Sequence, residues 1–292
     1  MPIPKLRHLR VVRQLGNGAG SLVFLVKHDV TGELFAVKHV TRATVDLIQA
    51  GDTERLKGGK KKPDYNGFFE QIVNEWQTLS HVRRICHHPG LIIVKELVKI
   101  RRFLFLQGYD LVMEHLQGKS LKEKRDYTIP QMIQIYRDAA SCLGAVHSAG
   151  VIHADIKPQH IFVQSDMTVK ILDFGQARRL DESVGKLKIQ GTPEYMAPEQ
   201  LRAQRVDERT DVYLLGTTMF WALTGQSNRP TLKGLPDGLG FTVSFSGRQR
   251  SVREFLPLVP SRLEDVILAS CEREPEKRPS SMYEVVRALE AV

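Results

Sequence analysis

Cysteine is scarce in this chain, with three among 292 residues at positions 86, 142 and 271. Isolated and odd in number, they exclude a disulfide framework and offer no zinc-ligand pairs. A reducing, cytoplasmic compartment is the simplest expectation. Long apolar runs are missing too: no stretch approaches the roughly 18 residues of a spanning helix. Met1-Pro2-Ile3-Pro4-Lys5 lacks the apolar centre of a secretory leader. No internal repeat is visible, which removes solenoids and propellers. Aromatics make up 7% of the chain, and none interrupts its densest basic segment, Arg55 to Lys62. That segment therefore lacks the stacking platforms of a single-strand nucleic-acid binder.

Apolar residues at 42% and charged residues at 26% are ordinary for a globular protein, and the length suffices for one large domain or two lobes. The net charge of +9 admits an anionic partner, either nucleic acid or a phosphorylated substrate. Within a basic insertion at about 41–67, Arg55–Lys62 has no apolar periodicity and reads first as a solvated segment. Nucleic acid is the weaker reading, which this segment allows.

Taken in order, residues 10 to 15 alternate towards Leu15 and break at Gly16-Asn17-Gly18-Ala19-Gly20-Ser21. Strands are predicted at Leu22–Val26 and Leu34–Val40, around a turn at His28–Glu33. Glycines between strands let backbone approach a phosphate chain. Phe68, Ile72, Trp76, Leu79 and Val82 recur at helical spacing, with Glu75 beside the stripe. Residues 91 to 116 are rich in Val, Ile, Leu and Phe and complete an antiparallel sheet. From Pro130 the pattern turns helical: Ile133, Tyr136, Ala140, Leu143 and His147 form a stripe that stops at Gly150. Asp211 opens an apolar helix, residues 225 to 252 read as a loop with a short helix, and closing helices carry Leu263, Val266 and Ile267, then Met282, Val285 and Leu289.

The chain is organised around His153-Ala154-Asp155-Ile156-Lys157-Pro158-Gln159-His160 and Asp173-Phe174-Gly175. Between them Ile161–Val163 and Val169–Leu172 flank a turn at Gln164-Ser165-Asp166, a hairpin that returns Asp173 towards Asp155. Two carboxylates and a lysine then face one point. In-line phosphoryl transfer needs such a set: one carboxylate to orient a hydroxyl, another to hold metal, and a cation over the transferred group.

Together with Ala36-Val37-Lys38 and Gly191-Thr192-Pro193-Glu194-Tyr195-Met196-Ala197-Pro198-Glu199, these stretches resemble the ordered motifs of eukaryotic-type serine/threonine protein kinases, with a bacterial flavour. The resemblance runs from Val11 to Leu289. It implies an α+β, two-lobed fold: a small sheet lobe with one helix (1–116), a larger helical lobe (117–292), and ATP between them. It implies transfer of the ATP γ-phosphate to a serine or threonine of a protein substrate. Asp155, Lys157, Lys38 and Glu75 would be catalytic, with Glu70 in reserve for Glu75. Gly16, Asn17, Gly18, Ala19, Gly20, Ser21, Val23, Ala36, Lys38, Met113, Glu114, Leu116, Ser120 and Phe162 would bind ATP. Asp173 and His160 would hold Mg2+, with Mn2+ as the alternative, and Glu199 would pair with Arg278.

Two residues depart from the family. His160 stands where the family has a metal-binding asparagine, and imidazole nitrogen suits magnesium poorly. A weaker kinase, a manganese kinase, a nucleotide-binding pseudokinase and a kinase-shaped scaffold docking an anion through Arg55–Lys62 all remain open on this count. Ala154 stands where many kinases carry an arginine that receives an activation-loop phosphate. Arg178 and Arg179 are expected inside that loop, not anchored to the catalytic segment, and Ser183 is its one hydroxyl before Thr192.

Overall fold

The computed structural model describes residues 6, 8–18, 20–52, 63–180, 195–228, 232–234, 241–243 and 249–292. Ala19, Arg55–Lys62, Ser183, Thr192 and Glu194 lie outside them. The described residues form two compact units, one from 1–83 with 92–117 and one from 84–91 with 118–292.

The first unit begins with a meander of β1 (Leu9–Gly18), β2 (Ser21–His28) and β3 (Leu34–Thr41). Helices α1 (Arg42–Asp52) and α2 (Tyr65–Ile85) follow, then the hairpin β4 (Val94–Arg102) and β5 (Phe105–Glu114). The sheet is antiparallel throughout, in the order β1-β2-β3-β5-β4, so β4 forms an edge. Leu22, Phe24, Val26, Val37 and Val112 form a core cluster against which Leu9, Val11, Phe35 and Ile48 pack. The second face meets α2, where Phe69 sits edge-on to Tyr109 at 5.8 Å. Gly108 allows β5 to close on β3, since a Cβ there would lie 2.0 Å from the Val40 carbonyl oxygen.

The α1 helix occupies the start of the segment expected as an insertion at 41–67. Thr41 Oγ1 accepts the Thr44 N–H at 3.1 Å and starts the helix, and Val45 is fully buried. A stripe this short is hard to distinguish from loop sequence.

The second unit contains β6 (Gly118–Ser120), α3 (Ile129–Ser148), β7 (Val151–Ile152), β8 (Ile161–Gln164), β9 (Val169–Ile171) and β10 (Arg178–Arg179). Then come α4 (Pro198–Leu201), α5 (Glu208–Thr224), β11 (Leu232–Gly234), β12 (Phe241–Val243), α6 (Ser261–Ser270) and α7 (Met282–Glu290). Thr128 and Gln131 close a capping box over α3, and Gly150 leaves that helix at φ 72°. Helix α5 is buried from Thr210 to Phe220, its few polar side chains included. Tyr136, fully buried, satisfies its hydroxyl by donating to the Met219 carbonyl at 3.3 Å.

Two expectations change here. Asp211 does not open α5; Asp207 caps it by accepting the Arg209 N–H, which sends Asp211 into the buried face. Among the described residues of 225–252 the expected short helix is absent: β11 pairs with β12, and a three-residue 3-10 turn follows at Val252–Glu254. Gly225, at φ 71°, terminates α5 just before. No helix among the described residues is long and apolar enough to cross a membrane.

Candidate active site

In the first unit, β1 and β2 meet at the glycine turn. Gly16, Asn17 and Gly18 end β1, while Ser21 starts β2 with its side chain buried. The conformational demand falls on Gly20, at φ 98°, where a Cβ would strike the Phe68 ring at 2.6 Å. Val23 on β2 lies opposite Lys38 on β3, and Ala36 lies opposite Met113 on β5. Glu114 follows Met113, and its carboxylate accepts the Ile93 N–H at 2.8 Å. Leu116 is half-buried just beyond the strand.

Lys38 Nζ donates to Glu75 Oε2 at 2.7 Å. Ile72, Glu75, Leu79 and Val82 all face inward from α2, so Glu75 belongs to the apolar stripe instead of standing beside it. A carboxylate only 3% exposed needs a cation, and Lys38 supplies it. Glu70, the reserve candidate, is exposed.

In the second unit, β8 and β9 form the expected hairpin, with Ile161 opposite Ile171 and Val163 opposite Val169. Phe162 on β8 lies opposite Ser120 on β6, and Ser120 is held by the Glu123 carboxylate through both its N–H and its hydroxyl. The hairpin brings Asp155, Lys157, His160 and Asp173 together. Lys157 Nζ donates to Asp155 Oδ2 at 2.9 Å. The His160 ring stands between the carboxylates, with Nδ1 3.6 Å from Asp155 Oδ2 and Nε2 3.5 Å from Asp173 Oδ2.

The protonation of that ring follows from its contacts. Nδ1 lies 2.7 Å from the Asp155 backbone carbonyl, which can only accept, so Nδ1 carries the hydrogen. Burial pulls the His160 pKa down to about 4, against the opposing pull of the Asp173 and Asp155 charges. The ring is therefore neutral at neutral pH, and Nε2 turns a lone pair towards Asp173. Two acceptors 3.5 Å apart with no proton between them suit a cation. Among the described residues no group of three or more His, Cys, Asp or Glu side chains could hold a metal unaided.

The loop carrying Asp155 is fixed from behind by residues whose part the sequence reading missed. Asp211 accepts the His153 N–H and the Ala154 N–H, each at 2.8 Å, and His147 Nε2 at 2.8 Å. Burial pushes the Asp211 pKa up, but the bonds from His147 and the His153 backbone outweigh it and hold it below the usual value. Ala154 takes a left-handed conformation at φ 62°, and its carbonyl accepts from Gln200 Nε2 at 2.7 Å. Gln200 also accepts the Ala197 N–H, which ties the start of α4 to the catalytic loop. His153 Nε2 donates to the Leu172 carbonyl at 3.0 Å, and its ring lies 4.6 Å from that of Phe174. A carboxylate directly ahead of the apolar run Val212–Leu215 was the available signal for Asp211; nothing local marked Gln200.

Glu199 meets Arg278 through two bonds, at 2.8 and 2.9 Å, and takes a third from Thr210 Oγ1. Arg178 and Arg179 differ from expectation: as β10 they pair with Ile152 and Val151, directly ahead of the catalytic loop. Their backbone is anchored there by sheet hydrogen bonding.

Comparison with known proteins gives consistent matches. The protein kinase domain family profile matches residues 9–289. The serine/threonine-protein kinase PknB of Mycobacterium leprae is 31% identical over 214 residues, 68% of this chain and 32% of that protein. A probable serine/threonine-protein kinase of Corynebacterium efficiens is 29% identical over 291 residues, 94% of this chain and 40% of its own. Another from Clostridium perfringens is 30% identical over 193 residues, 62% of this chain and 27% of that protein. The chain thus spans well under half the length of these relatives.

Proposed function

The chain belongs to the eukaryotic-type serine/threonine protein kinase family, and from that premise we propose that it transfers the γ-phosphoryl group of ATP to serine or threonine hydroxyls of a protein. The observation that carries this is the convergence of Asp155, Lys157 and Asp173 around His160. It supplies a carboxylate to receive and orient a hydroxyl, with a cation 2.9 Å from that carboxylate. Lys157 stands where it would balance charge on the phosphoryl group as the bond to the acceptor oxygen forms and that to ADP breaks. We assign the acceptor's proton to Asp155.

Residue roles are assigned unit by unit. In the first, Lys38, oriented by Glu75, holds the α- and β-phosphates, and Gly16–Ser21 present backbone N–H groups to them. Val23, Ala36 and Met113 supply apolar surface for adenine, and the Glu114 carbonyl and Leu116 N–H its polar contacts. In the second, Ser120 lies near ribose and Phe162 supplies a further apolar face. Members of the family use ATP with a divalent metal. Asp173 Oδ2 and His160 Nε2 would hold it here, with phosphate and water completing the shell. Its chemistry there is neutralisation of phosphate charge. We read the ion as magnesium bound weakly, or manganese, because one ligand is an imidazole nitrogen. With three cysteines in no disulfide, we place the protein in the cytoplasm.

The test is incubation with labelled ATP and a generic protein acceptor, in magnesium and separately in manganese, beside Lys38→Met and Asp173→Asn. Metal-dependent label on acceptor serine or threonine, lost in both variants, is expected. Nucleotide binding without turnover in either metal would overturn the reading.

A further inference from the structure

The β4–β5 hairpin ends in three of the most exposed large apolar side chains of the described chain: Phe103 at 88%, Leu104 at 87% and Phe105 at 74%. Isolated exposed apolar residues need no explanation, but three adjacent ones at a convex tip do. The turn makes the choice stranger. Phe103 sits at φ 54°, a conformation that two-residue hairpins normally give to Asn, Asp or Gly. A bulky residue there carries strain, and the ring gains almost no burial in return.

The charge around the tip is one-sided. From Leu97 to Tyr109 the hairpin carries Lys99, Arg101 and Arg102 and no carboxylate. Arg101 and Arg102 are exposed, opposite Leu106 and Phe105 in the register. Apolar side chains at an apex with cations one step behind match the depth profile of an anionic bilayer, acyl chains first and headgroups above. We propose that this hairpin docks the protein onto an anionic lipid surface, with Phe103, Leu104 and Phe105 at the acyl boundary and Arg101 and Arg102 at the headgroup phosphates.

Other occupants fit less well. A second copy would bring two pairs of arginines together with no acid at either tip to receive them. A stable protein interface engages roughly 20–30 residues on each partner, and the exposed apolar tip is three residues. A lipid surface requires no complementary shape.

The test is co-sedimentation of the full chain with phosphatidylcholine vesicles, with and without phosphatidylglycerol. Binding is expected with the anionic vesicles alone, and to fade with salt. The combined Phe103→Ser, Leu104→Ser, Phe105→Ser variant keeps every charge and should bind roughly tenfold more weakly or worse. Arg101→Gln with Arg102→Gln should weaken binding by about tenfold as well. Phe103→Asn suits the turn, so it should hold or raise the melting temperature while weakening binding, which separates docking from folding. Three results would overturn the proposal: no binding of the unaltered chain to anionic vesicles, full binding by the serine variant, or a concentration-dependent dimer that the serine variant abolishes.

Discussion

The two units position their charged groups by different means. In the first, Lys38 and Glu75 come from a strand and a long helix, and regular structure alone sets their approach. In the second, Asp155, Lys157, His160 and Asp173 lie on loops and single turns, with Ala154 and Asp173 both left-handed at φ 62°. There the geometry depends on buried hydrogen bonds from distant residues, above all Asp211 and Gln200. A site on regular elements tolerates changes around it. A site on loops depends on its tethers.

Breaking either half should stop transfer, whatever holds it. Lys38→Met and Asp173→Asn are each expected to lower kcat by a factor on the order of 10²–10³ or more; Lys38→Met should also lower the melting temperature, because it removes the cation facing the buried Glu75 carboxylate. Under the proposed function, in which both groups serve one transfer, the double variant should be little worse than the singles. Retention of phosphorylation within tenfold by either single variant would dismantle the assignment.

Removing a tether separates the units in stability. Asp211→Ala strips the acceptor from two loop N–H groups and from His147, and should cost about 3–5 kcal/mol in denaturant unfolding. Acid should act in the same direction. Asp211 and Glu199 are both driven up by burial, yet His147 and Arg278 hold them below the ordinary carboxylate range. A group depressed in the folded state stabilises fully above its unfolded pKa, near 4, and that contribution disappears as pH falls through the lower folded value. Asp211→Ala should therefore flatten the acid limb of the stability–pH curve; an unchanged slope would remove Asp211 from this account.

A milder cut is Gln200→Ala, which frees the Ala154 carbonyl without touching a charge. A fall of about tenfold in kcat, or 1.4 kcal/mol in barrier terms, with KM for ATP unchanged, would mark Gln200 as a positioning residue. A change confined to KM would contradict that role. Smaller still, His160→Asn should lower the magnesium concentration for half-maximal rate and reduce any advantage of manganese; no shift in metal demand would mean that the ring is not a ligand. The smallest effect belongs to Ser183→Ala in phosphatase-treated protein, expected within tenfold of the unaltered rate. A larger drop would show that loop phosphorylation matters despite Ala154.

Legibility followed the same division. Helix α2 is marked by its apolar spacing, a periodic and local signal, whereas Lys38 is marked by Ala36-Val37-Lys38 one strand after the glycine turn, a resemblance of motifs. The hairpin at Ile161–Leu172 was equally plain from two apolar runs and a turn. Asp211 was read as a helix opener, since sequence shows a carboxylate at the head of an apolar stretch but not that Asp207 caps the helix four residues earlier. Gln200 gave no sign at all: its bond spans forty-six positions. The placing of Arg178 and Arg179 as a strand depended on Val151 and Ile152, which offer too short a partner for any alternation to register.

Two of the three bonds that Asp211 accepts come from main-chain N–H groups, those of His153 and Ala154. Every amino acid except proline carries the same amide hydrogen, so this anchor does not depend on which side chain occupies position 154. An arginine and an alanine would hang from the same backbone hook. The shape of the loop and the means of regulating it are thus written in different atoms, and a lineage could lose the second without disturbing the first. Only proline is barred outright, lacking the hydrogen and unable to reach φ 62°.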